Sequence, residues 1–127
     1  MKETPQQRLG KELRRKRIRK GMTLDQLSGT SGVNKGHLSD IENGKVKIKL
    51  ETLDMIINAL RGDRRKLYSL YISQLTSIES CLQLILRCLE KNDSASAKRA
   101  MRKLFSIAPK GRISTKSVDK LIIFFDK

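Results

Sequence analysis

The sequence predicts an all-α protein in two parts: a compact helical domain over residues 1–62, then a helical half over 63–127 built on one long heptad-patterned helix and shorter helices after it. Three observations carry this. Leu50, Leu53, Ile56 or Ile57, and Leu60 recur at helical spacing. Thr23 and Asn34 stand as N-cap residues, and Gly21, Gly32, Gly44 and Gly62 fall where helices should stop. Tyr71, Leu75, Ile78, Leu82, Ile85 and Leu89 follow one another at spacings of four, three, four, three and four, a heptad seam.

Helix one runs from about Gln6 to Lys20, with Pro5 near its first turn and Gly21 closing it. Its apolar positions are Leu9, Leu13 and Ile18, and Lys11 to Lys20 is a dense basic run. Helix two starts after Thr23, which with Gln26 has the spacing of a capping box. Leu27 is its inward anchor, Ser28 is small enough for a close crossing, and Gly32 supplies the turn, with Val33 filling its inside. Helix three starts from Asn34 as N-cap and ends at Asn43-Gly44, with Leu38 and Ile41 facing the core. Lys35, Gly36, Ser39, Asp40 and Asn43 point the other way. Helix four covers about Leu50 to Leu60, and Gly62 breaks it.

From Asp63, a second N-cap, the heptad pattern predicts a helix reaching about Lys91, its apolar face widened by Leu67, Gln74, Cys81 and Cys88. A further helix is expected from about Ser94 to Ile107, ended by Pro109 and Gly111. The tail from Ser117 contains LIIFF, which fits a short helix or an edge strand.

Composition narrows the function classes. The formal net charge is +15 over 127 residues, and the sequence pI is about 10.3. The natural partner is a polyanion. Aromatics are only 4% with no Trp, which argues against single-strand binding by base stacking. Cys81 and Cys88, with one His and no CxxC, cannot build a zinc site. Two turns of helix hold the thiols roughly 10 Å apart, too far for a disulfide, so both read as buried and reduced. No apolar run approaches the roughly 18 residues that span a bilayer. The expectation is a soluble cytoplasmic protein with no metal, no cofactor and no membrane partner. Clustered carboxylates, a nucleophile–base pair and a phosphate loop are all missing from the pattern, so no catalytic residues are assigned.

Residues 22 to 44 therefore carry the argument: two short helices, a tight turn, and a polar-faced second helix in a basic chain, which is what major-groove reading of double-stranded DNA requires. Over roughly residues 6–62 the chain resembles the Cro and phage-repressor, or XRE, family of helix-turn-helix regulators. The resemblance rests on Leu13 and Arg17 before Gly21-Met22-Thr23, then Leu27, Gly32-Val33, Leu38, Glu42-Asn43-Gly44-Lys45, and Leu50-Glu51-Thr52-Leu53 before Ala59-Leu60. It implies a five-helix-type domain. It implies that Arg17 forks onto Glu42, locking helix three against helix one; the other reading makes Arg17 part of the basic run. It places base-reading positions at Asn34, Lys35, Gly36, Ser39, Asp40 and Asn43. Lys35 can donate to guanine O6 and N7, and Asp40 can accept from cytosine N4 or serve as a local salt-bridge partner. His37 falls at the helix flank, for packing or phosphate contact. Thr23, Lys45, Lys47 and Lys49 are the phosphate-contact candidates.

The sequence departs from the family in four places. Leu24 replaces a glutamine common at the start of helix two, Ser31 an apolar residue, and Ile48-Lys49 the usual Pro-Ser. Gly62 and Arg64 replace apolar residues entering helix five. Two functions compete. One is a transcriptional repressor that binds a palindromic operator as a homodimer through the seam of Tyr71, Leu75, Ile78, Leu82, Ile85 and Leu89. The other is an antitoxin or adaptor whose C-terminal half captures a protein. The seam also fits an intramolecular bundle. Basic residues in that half, including Lys98, Arg99, Arg102 and Lys103, are not needed for dimerisation and suit DNA flanks, an acidic partner or an anionic effector.

Overall fold

The computed structural model describes residues 3–107, which form seven α-helices and no strand: α1 Pro5–Arg19, α2 Leu24–Ser31, α3 Lys35–Glu42, α4 Leu50–Leu60, α5 Arg64–Gln74, α6 Ile78–Glu90 and α7 Ser94–Ile107. The chain divides into two compact units between Gln74 and Leu75. The tail from Pro109 on, with LIIFF, Lys110, Arg112 and Lys116, lies outside the described residues.

In the first unit α1 packs against α3 and α5, and α2 against α3 and α4. Thr4 and Gln7 cap α1 reciprocally ahead of Pro5. Only Leu9 and Leu13 enter the core from this helix; Ile18, expected among its apolar contacts, is 56% exposed. The rest of the core includes Leu27, Leu38, Ile41, Leu53, Ile56, Leu60, Leu67 and Tyr68, all buried. Gly10 is required by packing. A Cβ there would collide with the carbonyl oxygen of Ile41 and stand 2.8 Å from that of Glu42, so α1 presses its bare backbone on the end of α3. At the end of α4 the left-handed residue is Arg61 (φ 49°), one position before the glycine expected to break the helix.

The long helix expected over residues 63–91 is two helices. Ser77 adopts extended φ and ψ (−118°, 149°) and caps α6, its hydroxyl accepting from the Ser80 N–H at 3.1 Å. Gln74, at the end of α5, turns inward and donates from Nε2 to the Ile48 carbonyl at 2.9 Å. The capping chemistry of Ser77 wins over a heptad spacing that continues across the break. The N-terminal unit accordingly includes α5 and does not stop at residue 62. Leu67 and Tyr68 are fully buried, and the Tyr68 hydroxyl donates to the buried Asp54 carboxylate of α4.

The second unit contains a helical hairpin. Asn92 (φ 56°) turns the chain, and the Asp93 carboxylate accepts from the Ser96 N–H at 3.1 Å to cap α7. Cys81, Leu84, Ile85 and Cys88 of α6 are buried, as are Ala97, Ala100, Met101 and Leu104 of α7, and the two helices pack on each other. Cys81 and Cys88 form no disulfide. Burial pushes the Cys81 thiol pKa up, and the nearby Lys103 charge opposes this.

Candidate nucleic-acid interface

The turn between α2 and α3 is built from small polar side chains. Thr23 accepts from the Gln26 N–H at 3.1 Å, while Gln26 Oε1 accepts from the Thr23 N–H at 2.8 Å. Gly32 takes φ 80°, a conformation that strains other residues. The Ser28 hydroxyl donates to the Val33 carbonyl at 2.6 Å, and the Ser31 hydroxyl accepts from the Val33 N–H at 3.1 Å. Ser31, a departure from the family pattern, thus satisfies a backbone donor inside the turn. The sequence shows only the small size of Ser28 and, in Ser31, only a departure from the family pattern.

Leu38 and Ile41 anchor α3 in the core. At 3.6 residues per turn, Lys35, Gly36, Ser39, Asp40 and Asn43 share an outward arc of about 140°. Lys35, Gly36 and Asn43 are exposed, and Ser39 and Asp40 half-buried. Their hydrogen bonds differ. Asn34 spends its carboxamide oxygen on the N–H groups of Gly36 (2.8 Å) and His37 (3.4 Å), which leaves its Nδ2 to face a ligand. Lys35 Nζ reaches the Asp25 carboxylate of α2 at 3.1 Å, an exposed pair that solvent weakens. Asn43 is the C-cap and folds back, donating from Nδ2 to the Ser39 carbonyl at 2.9 Å. His37 is exposed at the flank of the arc.

Arg17 sets the angle of this helix. Its Nε donates to Glu42 Oε2 at 2.8 Å, Nη2 to Glu42 Oε1 at 3.0 Å, and Nη1 to the Met22 carbonyl at 2.8 Å. The paired side chains are only 12% and 6% exposed. A bidentate fork of this kind fixes orientation as well as distance. One guanidinium thereby ties α1, the strand of chain entering α2, and the end of α3.

After α3, Lys45, Lys47 and Lys49 are exposed while Ile48 between them is buried and Val46 half-buried. The alternation sends three ammonium groups outward from the segment between α3 and α4. Lys49 is also the N-cap of α4 and makes no side-chain capping bond. Thr23 is exposed at the start of α2, its hydroxyl proton left over from the capping box.

Sequence reasoning missed Glu12. It is buried on α1, 3.0 Å from Arg15 Nη1 and 3.1 Å from Lys66 Nζ, and so joins α1 to α5. Burial alone would raise its carboxyl pKa. The Lys66 hydrogen bond and the Lys66, Arg15 and Lys16 charges outweigh this and hold it below the ordinary value. Its only sequence signal was an acid inside a basic run.

The seam residues do not form one stripe. Tyr71 is on α5, Leu75 precedes the break, and Ile78, Leu82, Ile85 and Leu89 are on α6. Tyr71, Leu75 and Ile85 are buried, Ile78 and Leu89 half-buried, and Leu82 is 41% exposed. Among the described residues no group of three or more His, Cys, Asp or Glu is placed to hold a metal, and no helix is long and apolar enough to cross a membrane.

No curated protein and no solved structure matches the chain. A family model described as helix-turn-helix matches residues 13–67, from the middle of α1 into α5. That span covers the capped turn, the outward arc of α3 and the Arg17–Glu42 fork, and it is a helix-turn-helix DNA-binding domain of the XRE family of transcription regulators.

Proposed function

We propose that the protein is a transcriptional repressor that binds a palindromic operator as a homodimer in the cytoplasm, with α3 in the major groove. The supporting observation is the outward arc of α3, held at a set angle by the Arg17–Glu42 fork while the opposite side of the helix is consumed by the core. Lys35 donates to guanine, Asp40 accepts from cytosine N4, and Ser39, Asn34 Nδ2 and Asn43 supply adaptable donors and acceptors. Gly36 lets the helix approach a thymine methyl. Thr23, Lys45, Lys47 and Lys49 hold phosphates on either side and set the register.

A single helix-turn-helix reads few base pairs, so two copies are needed for a site of useful length. Leu82 and Leu86 stand exposed on α6 at 41% and 59%, in line with half-buried Ile78 and Leu89. This stripe supplies the contact between copies, and the buried members of the heptad seam stay inside their own chain. The same stripe, with Phe105 of α7 at 47% exposure, supports the second reading, an adaptor or antitoxin that captures another protein. The test is selection of duplexes from a random pool with mass measurement of the complex. A palindrome bound by two chains supports the repressor reading; one chain on an asymmetric site, or no enrichment, overturns it.

A further inference from the structure

The hairpin of the second unit has two unlike outer surfaces. That of α6 mixes Leu82 and Leu86 with Glu79 and Glu90. That of α7 is of one sign. Over its 14 residues α7 carries Lys98, Arg99, Arg102 and Lys103 and no acid. Lys98, Arg99 and Arg102 are exposed on the side opposite Ala97, Ala100, Met101 and Leu104, which pack against α6. Lys103 is half-buried with its charge felt at Cys81, so it leans toward the hairpin core. Among the described residues no carboxylate pairs with Lys98, Arg99 or Arg102.

We propose that this face of α7 is a second phosphate-binding surface, which holds the backbone of double-stranded DNA without reading its sequence. The proposal rests on the DNA-binding reading of the first unit. Like charges three and four apart on a helix destabilise it. Arg99 and Arg102 stand three apart, and Lys98 and Arg102 four apart. A polyanion relieves that repulsion and gains three charge-assisted contacts. The stretch from Lys98 to Arg102 spans about 6 Å at 1.5 Å per residue. One strand of duplex advances about 3.4 Å per phosphate, so the face covers roughly two phosphates of a strand. A membrane surface fits less well. A helix lying in a bilayer interface buries an apolar face there, whereas the apolar side of α7 is already packed on α6. Phe105 borders the patch, but one ring makes neither an inserted face nor a stacking platform.

The test uses the full chain and the triple variant Lys98→Gln/Arg99→Gln/Arg102→Gln, which changes only exposed positions and keeps good helix formers. Affinity is measured against salt on a flanked duplex carrying the selected site and on a scrambled duplex. The expected result is a logarithmic salt slope shallower by about 2, at roughly 0.9 per phosphate. Affinity falls by the same factor on both duplexes, and the preference ratio stays at the wild-type value. A charge-retaining variant, Lys98→Arg/Arg99→Lys/Arg102→Lys, keeps the wild-type slope and separates charge from folding defects. An unchanged slope in the triple variant overturns the proposal and leaves the first-unit reading standing, since wild type still prefers its site. A changed preference ratio also overturns it. Wild type that binds no duplex overturns both. Loss of binding to phosphatidylserine vesicles with an intact DNA slope assigns the face to a membrane and overturns it.

Discussion

The two units are held together by different physics. In the first, directed polar bonds stand at nearly every junction: Arg17 on Glu42 and Met22, Lys66 on Glu12, Gln74 on Ile48, and Tyr68 on Asp54. In the α6–α7 hairpin the packed residues are mostly small or apolar, and directed bonds concentrate at the caps Ser77 and Asp93. Directed bonds fix angles; apolar contact mainly fixes proximity. A unit that must present one helix at a set tilt needs the first kind. A unit proposed to meet other molecules through its outer surfaces can rely on the second.

The largest expected effect comes from cutting the chain. Residues 1–74 should give a cooperative unfolding transition and sediment as a monomer, whereas 1–62 should fail to fold cooperatively. Losing α5 removes buried Leu67 and Tyr68, on the order of 4 kcal/mol of burial. Equal denaturation midpoints for the two fragments would show that α5 is not part of the N-terminal core. Next is Glu42→Ala. It strands the Arg17 guanidinium and should cost about 3–5 kcal/mol in denaturant unfolding while also weakening DNA binding. In the hairpin no polar substitution should match it. Ser77→Ala should cost about 0.5–2 kcal/mol as a lost cap.

Lys35→Ala should cost about 1–3 kcal/mol on the selected site and relax its preference, with Lys47→Ala weakening all duplexes alike. Loss of affinity in both without altered preference would place the reading face elsewhere. Leu82→Asp should abolish the dimer in sedimentation yet leave the melting temperature nearly unchanged, because the position is already wet. A large loss of stability would show Leu82 to be core. The smallest effect concerns pH. The Glu12 carboxyl pKa is depressed in the folded state, so its stabilisation is present above the ordinary carboxylate value of 4.5 and is lost as pH falls through the folded value. Glu12→Gln should flatten that acid dependence, and an unaltered acid limb would remove Glu12 from it.

Local features were legible from sequence because their signals are local. Thr23, Gly32, Asn34 and the Leu50–Leu60 stripe mark ends and faces within a few residues of where they act, and the structure has helices α2, α3 and α4 there. The Arg17–Glu42 contact spans 25 positions, and only the family resemblance suggested it. Glu12 and Lys66 lie in basic runs that look like solvated faces, and nothing nearby hints that the carboxylate is buried. In the sequence pattern Gln74 falls in an apolar line. Its burial is real, but its amide serves the Ile48 carbonyl. The break after it leaves no trace in the periodicity, because Tyr71, Leu75 and Ile78 keep heptad spacing through a segment that Ser77 turns out of the helix. Periodicity reports which side faces inward; it does not report continuity.

One consequence of the Arg17 fork concerns how such a protein can change its target. The groups that fix α3, namely Leu38, Ile41 and Glu42, lie on its inner side, and the outward arc shares only Asn34 and Asn43 with the capping of the helix. Lys35, Ser39 and Asp40 can therefore be exchanged while the scaffold keeps its shape, whereas a Cβ at Gly36 would stand 3.2 Å from the capping oxygen of Asn34. Binding preference and foldedness become separately adjustable: a lineage or a designer can explore new duplex sequences at three positions without first rescuing a weakened domain.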